Sequence, residues 1–370
     1  MNRDIFSHRS QEFVELYRET IELVKPVFGT TQDILLLPSG GTAALEAAAV
    51  NTVSAGEEVV VITVGAFGDY FVSICEQYGF HVHKLEKEWG QACTADELRA
   101  FLQPLQTVKA VFVTYNETST GILNPVAELA QVIREETDAL VIVDGVSCIG
   151  GAPAEMDAWG IDILVTGSQK AMMLPPGLSL VSVSERAWKV IEENQTPAYY
   201  LNLQSYRSWA EKGMTPNTPP AITLIYGLHE VCKLIEQEGG FTQTVARHDL
   251  MKNMVRNAMQ ALHIELLTED QYASPPTITA IKTPQGIDLG EFLTHLKQHY
   301  HLDFAGGLGH LQGKIFRFGH MGYCFPSDIL QAVSLLEAAL QDFSYDFELG
   351  AGILAAQEVY LAAQRKALQR

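Results

Sequence analysis

Lys170 is the residue in this chain best placed for covalent chemistry. It follows the run Ile161-Asp162-Ile163-Leu164-Val165-Thr166-Gly167-Ser168-Gln169. The apolar stretch Ile163 to Val165 suits a central parallel strand, and Thr166, Gly167 and Ser168 leave it. The lysine therefore arrives at the carboxyl end of a strand, where open α/β sheets place their chemistry. Leu174-Pro175-Pro176-Gly177 then stops any helix and turns the chain back. An amine held there out of water has a lowered pKa and becomes a nucleophile; the alternative is a surface lysine in a loop. Asp144 closes a second apolar run, Ala139-Leu140-Val141-Ile142-Val143. A carboxylate at that position costs free energy unless it is paired, and a protonated ring nitrogen would pair it. Gly40-Gly41-Thr42 lies between the short apolar run Asp33 to Leu37 and the helix-forming stretch from Ala43. Glycines there let backbone come close to a ligand, and free N–H groups at a helix start suit a phosphate. The alternative is an ordinary strand-to-helix turn.

These groups need elements to hold them. An N-terminal helix is expected from the helical spacing of Phe13, Leu16, Tyr17, Leu23 and Val24, with Ser10 as N-cap. Strands are expected at Asp33 to Leu37, Glu58 to Val64, His81 to Leu85, Lys109 to Thr114, Ala139 to Asp144, Ile163 to Val165 and Leu178 to Val183. Helical stretches separate most of them. Such alternation predicts an α/β fold, a mostly parallel seven-stranded sheet with helices on both faces. After Arg186 the pattern changes. Residues 196–220 are rich in Pro, Asn, Thr and aromatics and read as an irregular loop. Helices are expected from about Pro220 to Glu238 and from Phe241 to Leu262. Thr277 to Ile281, Leu289 to Tyr300, Lys314 to Phe318 and Asp328 to Leu340 form a smaller C-terminal α+β unit closed by a terminal helix. The expected division is 1–240 for the large domain and 241–370 for the small one.

Composition narrows the function classes. The net charge is −19, which repels phosphate backbones and anionic membranes, so no nucleic acid and no membrane partner is expected. The five cysteines, Cys75, Cys93, Cys148, Cys232 and Cys324, show no metal-ligand spacing and fit a reducing compartment. No apolar run reaches spanning length and Met1-Asn2-Arg3-Asp4 begins no signal-peptide core, so a cytoplasmic protein is expected. His81-x-His83 lacks a third ligand, and no metal is expected. Cys324 could be read as a desulfurase nucleophile, but no flexible Gly/Ser-rich loop surrounds it and packing is the simpler role.

An amine, a carboxylate that can pair a ring nitrogen and a phosphate cradle are together the set that pyridoxal 5′-phosphate needs. Six motifs stand in order along nearly the whole chain: His8-Arg9-Ser10, Gly40-Gly41-Thr42-Ala43-Ala44-Leu45-Glu46, Glu117-Thr118-Ser119-Thr120-Gly121, Val143-Asp144-Gly145-Val146-Ser147, Gly167-Ser168-Gln169-Lys170 with Pro175-Pro176-Gly177, and Arg317-Phe318-Gly319-His320-Met321-Gly322. On these the chain resembles the class V pyridoxal-phosphate aminotransferases of fold type I, and among them the alanine–glyoxylate and serine–pyruvate group.

The resemblance implies a role for each matched residue. Lys170 is the Schiff-base lysine and proton shuttle. Asp144 pairs the ring nitrogen, Val146 packs on one ring face, and Phe67 stacks on the other where the family often has tryptophan. Thr118 lies near the ring hydroxyl. Gly41, Thr42 and Gln169 reach the phosphate, and Thr218 in Thr215-Pro216-Asn217-Thr218 reaches the phosphate of a neighbouring subunit's cofactor, which implies a homodimer with shared active sites. Arg317 holds the substrate carboxylate by a bidentate pair, with Arg207 the alternative. The implied substrates are a small amino acid, serine or alanine, and a small 2-oxo acid, glyoxylate or pyruvate, joined by two half-reactions. The sequence departs from the family in two places. Only seven residues precede His8, where the family has a Pro-Gly-Pro-containing strand that helps close the pocket. Gly40 and Thr42 stand where relatives can carry serine and histidine, a change expected to weaken cofactor binding without altering its mode. Competing readings are a pyridoxal-phosphate lyase of desulfurase type and a non-catalytic subunit of a larger complex. The tail Phe347-Glu348-Leu349-Gly350-Ala351-Gly352 resembles that of cyanobacterial proteins labelled hydrogenase subunits, but no cysteine set here could ligate nickel or an iron–sulfur cluster.

Overall fold

The computed structural model describes residues 4–212, 214–216 and 218–369. Met1, Asn2 and Arg3 at the N-terminus, and Asn217 of the Pro-rich loop, lie outside the described residues. The chain opens with α1 (Gln11–Phe28), capped by the Ser10 hydroxyl and ended by Gly29 in the left-handed conformation. A strand–helix alternation follows: β1 (Asp33–Leu37), α2 (Gly41–Thr52), β2 (Glu58–Thr63), α3 (Ala66–Gln77), β3 (His81–Glu86), α4 (Ala95–Leu102) and β4 (Val108–Thr114). The two-residue strands β5 (Asn116–Glu117) and β6 (Ile122–Leu123) form a small antiparallel ladder of their own. Then come α5 (Val126–Glu136), β7 (Leu140–Asp144), α6 (Met156–Trp159), β8 (Ile163–Gly167), β9 (Ser179–Val183) and α7 (Glu185–Glu193).

The seven long strands form one sheet in the order β1-β9-β8-β7-β4-β2-β3. Neighbours from β3 to β8 pair in parallel, while β9 runs antiparallel to both β8 and β1. Six strands therefore share one direction, as the alternation predicts. β2, β4, β7 and β8 are buried along almost their whole length, which is why their sequences are continuous Val/Ile/Leu runs instead of alternating ones. One apolar layer joins Phe13, Val24, Leu129 and Ile225 to one face of the sheet; another joins Ala47, Phe71 and Trp188 to the other. α2 is buried through most of its length, and its run of alanines lets it lie close between strands and neighbouring helices.

The stretch 196–220 differs from expectation. It contains α8 (Leu203–Glu211), whose N-cap Asn202 accepts from Ser205 N and which buries Leu203 and Tyr206. The helix is only nine residues long and is flanked by Pro- and Thr-rich loops, so composition hides it. Beyond it lie α9 (Ile222–Glu238), α10 (Phe241–Ala261), β10 (Ile278–Lys282), α11 (Leu289–Tyr300), β11 (Ala305–Gly306), β12 (Ile315–Gly319), α12 (Pro326–Asp342) and α13 (Ala351–Leu368). The sheet β10-β12-β11 and helices α10 to α13 enclose a further core around Met251, Phe292, Phe316 and Leu336. Among the described residues no helix is long and apolar enough to cross a membrane.

Candidate active site

Because six strands share a direction, the segments that leave β1, β2, β4, β7 and β8 all emerge at one edge of the sheet. These segments carry Gly40 to Thr42, Phe67, Thr118, Asp144 to Val146 and Lys170. The turn bearing Lys170 is held from both sides. Ser168 N–H donates to the Leu178 carbonyl at 2.9 Å, the Ser168 hydroxyl donates to the Pro175 carbonyl at 2.7 Å, and Met173 N–H donates to the Lys170 carbonyl at 3.0 Å. Met173 takes the left-handed conformation at φ 60° to close it. Lys170 is half-buried. Burial first, and then the positive charge of Arg317, holds its amine below the ordinary lysine range, with Asp144 opposing the shift.

Asp144 ends β7 and is 6% exposed. Its Oδ1 accepts Val146 N–H at 2.9 Å, and among the described residues its Oδ2 makes no hydrogen bond. Burial pushes the carboxyl up to about 7, with the neighbouring charge of Glu117 adding to the shift and Lys170 and the Val146 bond opposing it. A carboxylate in that state is ready to ionise against a protonated ring nitrogen.

The first turn of α2 starts at Gly41, capped by Gly40 with no side-chain partner, so its leading N–H groups have no acceptor within the helix. Gln169 lies against this turn: a Cβ built at Gly167 would sit 2.9 Å from Gln169 Oε1 and 3.5 Å from Gly41 N. Gln169 Oε1 is buried without a partner. Val146 closes the other side, since a Cβ at Gly41 would come within 2.7 Å of its Cγ2. Only glycine lets these segments approach so closely.

Phe67, Thr118, Lys170 and Arg317 line one cleft of about 570 Å³. Phe67 is half-buried and meets Tyr70 edge-on, ring centres 5.6 Å apart. Arg317 comes from β12, so the second sheet supplies the cation. Its Nε donates to the Gly306 carbonyl at 3.0 Å and its Nη1 to the Thr118 carbonyl at 3.1 Å, while its Nη2 makes no hydrogen bond among the described residues. Arg207 is otherwise engaged. It pairs with Glu192 at 2.8 Å, Glu211 at 3.3 Å and Asp33 at 3.5 Å, and lies over Trp188.

Not every expected residue meets here. Thr218 lies in a separate small hollow with Tyr199, Tyr200 and Tyr206, its hydroxyl 3.4 Å from the Tyr206 hydroxyl. Cys324 lines the Lys170 cleft, where burial pushes its thiol up to about 11, so it stands as a thiol and not as a nucleophilic thiolate. Glu117 gains prominence. It is fully buried directly behind Thr118, and nothing in residue spacing marks it apart from its place in the Glu-Thr-Ser-Thr-Gly motif. Among the described residues no group of three or more His, Cys, Asp or Glu could hold a metal ion.

The donor set fits pyridoxal 5′-phosphate. It offers a depressed amine, a buried carboxylate with a spare oxygen, an uncapped helix start beside an amide, and apolar groups at Phe67 and Val146. A family model described as "Aminotransferase class-V" matches residues 2–308. The chain is 38% identical to the "Soluble hydrogenase, small subunit" of Synechococcus sp. (strain PCC 6716), over 96% of this chain and 92% of that one. It is 35% identical to the "L-aspartate--glyoxylate aminotransferase" of Paracoccus denitrificans, over 97% of this chain and 92% of that one. Among solved structures, the ureidoglycine–glyoxylate aminotransferase from Bacillus subtilis superposes with a TM-score of 0.90 at 28% identity, covering 97% of this chain and 93% of that one.

Proposed function

Because the chain belongs to the class-V aminotransferase family, whose cofactor is pyridoxal 5′-phosphate, we propose that it moves an amino group from a small amino acid, serine or alanine, to a small 2-oxo acid, glyoxylate or pyruvate. The observation that carries this reading is the placement of the Lys170 amine and the Arg317 guanidinium on one cleft, with Asp144 buried at the neighbouring strand end. Glyoxylate is named for both the Paracoccus relative and the Bacillus structure, which supports it as acceptor.

When bound, the cofactor supplies an electron sink for the substrate's α-carbon. Gly41, Thr42 and Gln169 would hold its phosphate, Asp144 would keep its ring nitrogen protonated, Phe67 and Val146 would cover its two faces, and Thr118 would lie beside its hydroxyl. The depressed Lys170 amine would hold the cofactor through its aldehyde. When free, its Nζ would take the proton from the substrate Cα as base and hand it on as acid to a different atom, in each half-reaction. Arg317 fixes the carboxylate common to both substrates, which sets the Cα–H toward Lys170. Exclusion of water by the cleft walls, Phe304, Leu308 and Phe318 among them, strengthens these charge interactions.

We also propose a homodimer, in which Thr218 reaches the second copy's phosphate site. Its position apart from the Lys170 cleft, beside exposed Tyr199 and Tyr200, supports this. The same reading takes residues 1–240 as the cofactor-binding domain and 241–370 as the small one. A panel of amino acids offered with glyoxylate and with pyruvate tests the function. Transfer of the amine from serine or alanine, without sulfide release from cysteine, is expected. Sulfide release without transfer would favour the lyase, and a protein that stays colourless with added cofactor would favour a non-catalytic subunit.

A further inference from the structure

Helix α3 carries Phe67 in its first turn, yet its N-cap, Gly65, has no side chain to bond the helix start. The bonds come from the end of β5 and the residues just after it. Ser119 Oγ accepts Ala66 N–H at 2.9 Å, and Glu117 Oε2 accepts Phe67 N–H and Gly68 N–H, each at 3.0 Å. The other oxygen, Oε1, accepts Ser119 N–H at 3.1 Å and the Ser119 hydroxyl at 2.6 Å. Glu117 is 0% exposed and, among the described residues, forms no ion pair within salt-bridge distance. A carboxylate so buried is expensive, and it is stabilised here by four donors and by the positive end of α3. Its immediate neighbour, Thr118, offers the carbonyl that Arg317 Nη1 bonds. Gly65 exists to admit the carboxylate: a Cβ there would lie 2.4 Å from Glu117 Cγ and 2.5 Å from its Cδ.

We propose that Glu117 is a positioning residue for both halves of the site, fixing Phe67 by capping α3 and fixing Arg317 through the Thr118 carbonyl. The inference deepens the aminotransferase reading and rests on it. Burial raises the Glu117 pKa and its four donors oppose that shift; ionised, it favours the charged guanidinium of Arg317 and the neutral form of Asp144, so a loss of that charge reaches both groups.

Two variants test it. Glu117→Gln keeps the shape but presents an NH₂ where one set of donors now points. Gly65→Ala leaves Glu117 chemically intact and displaces it sterically; the Gly65 backbone is extended, so alanine brings no backbone strain of its own. Cofactor-free protein is titrated with pyridoxal phosphate by fluorescence, and the visible circular dichroism of the bound cofactor is recorded at saturation. Both variants are expected to weaken cofactor binding about tenfold or more. Both should change the visible dichroism, and both should raise KM for amino and oxo acid together. A drop in Tm with wild-type affinity, dichroism and KM would overturn the inference, leaving Glu117 a purely structural cap. A wild type that binds no cofactor would overturn the aminotransferase reading and the inference with it. A wild type that binds, with both variants unchanged, would overturn the inference alone.

Discussion

Asp144 shows how a single buried carboxyl ties stability to chemistry. In the cofactor-free protein burial raises its pKa to about 7, against about 4 in an unfolded chain. The fold prefers the neutral form. Its contribution to stability is therefore fully present below about pH 4 and is lost as pH rises through 7. Asp144→Asn removes this titration. The cofactor-free variant should show a flatter Tm between pH 4 and 7 and be the more stable protein at pH 8, and calorimetry across pH checks it. Cofactor should then stabilise the wild type more than the variant, because only the carboxylate pairs a protonated ring nitrogen. Equal pH slopes in the two cofactor-free proteins would show that Asp144 is ionised at no special cost. At Arg317 the expectation is kinetic. Arg317→Ala should cost about 2–4 kcal/mol, roughly 30- to 1000-fold in kcat/KM, for donor and acceptor alike. Arg317→Lys should restore little, since an ammonium cannot reproduce the fork. Unchanged kcat/KM for both substrates would place the carboxylate elsewhere.

At the scale of elements, α13 depends on a buried carboxyl group borrowed from another helix. Glu337 on α12 is 1% exposed. It accepts Gly350 N–H at 2.7 Å and Ile353 N–H at 3.0 Å, capping the start of α13. Gly352 permits the approach, since a Cβ there would sit 2.8 Å from Glu337 Oε1. Glu337→Ala should cost about 2 kcal/mol, concentrated in the docking of α13 on α10 and α12. Hydrogen exchange should show residues 351–368 losing protection while β4 and β7 keep theirs; unchanged protection in α13 would refute the cap. The long elements were legible because period and burial agree. Val59 to Ile62, Val111 to Val113 and Val141 to Val143 are buried on both faces and read as strands without help from context. α8 and the β5–β6 ladder were not legible, because a nine-residue helix and two-residue strands are stabilised by tertiary contacts instead of by pattern. The same reason hid Glu117: its bonds go to a helix start some fifty residues away in sequence, and no local spacing records such a pairing.

At the scale of the whole molecule, the sheet brings five strand ends together and the β10–β12 sheet adds the cation. The groups around Lys170 were legible because strand-end residues share one edge once strand direction is known. Which side chains bond one another across that edge was not. The proposed dimer is the next level of the same logic. Mixing Lys170→Ala subunits with subunits altered at Thr218 should recover activity by forming one intact site per dimer. A fully active monomer in sedimentation would end that proposal. The catalytic expectations depend on Lys170 being the anchor of the cofactor. The direct test is to load the protein with pyridoxal phosphate, reduce with borohydride, digest and locate the modified peptide by mass. The cofactor should be found on Lys170 alone, and Lys170→Ala should carry none and turn over no substrate while keeping its fold. Cofactor on any other lysine, or a Lys170→Ala protein that still transaminates, would contradict the account.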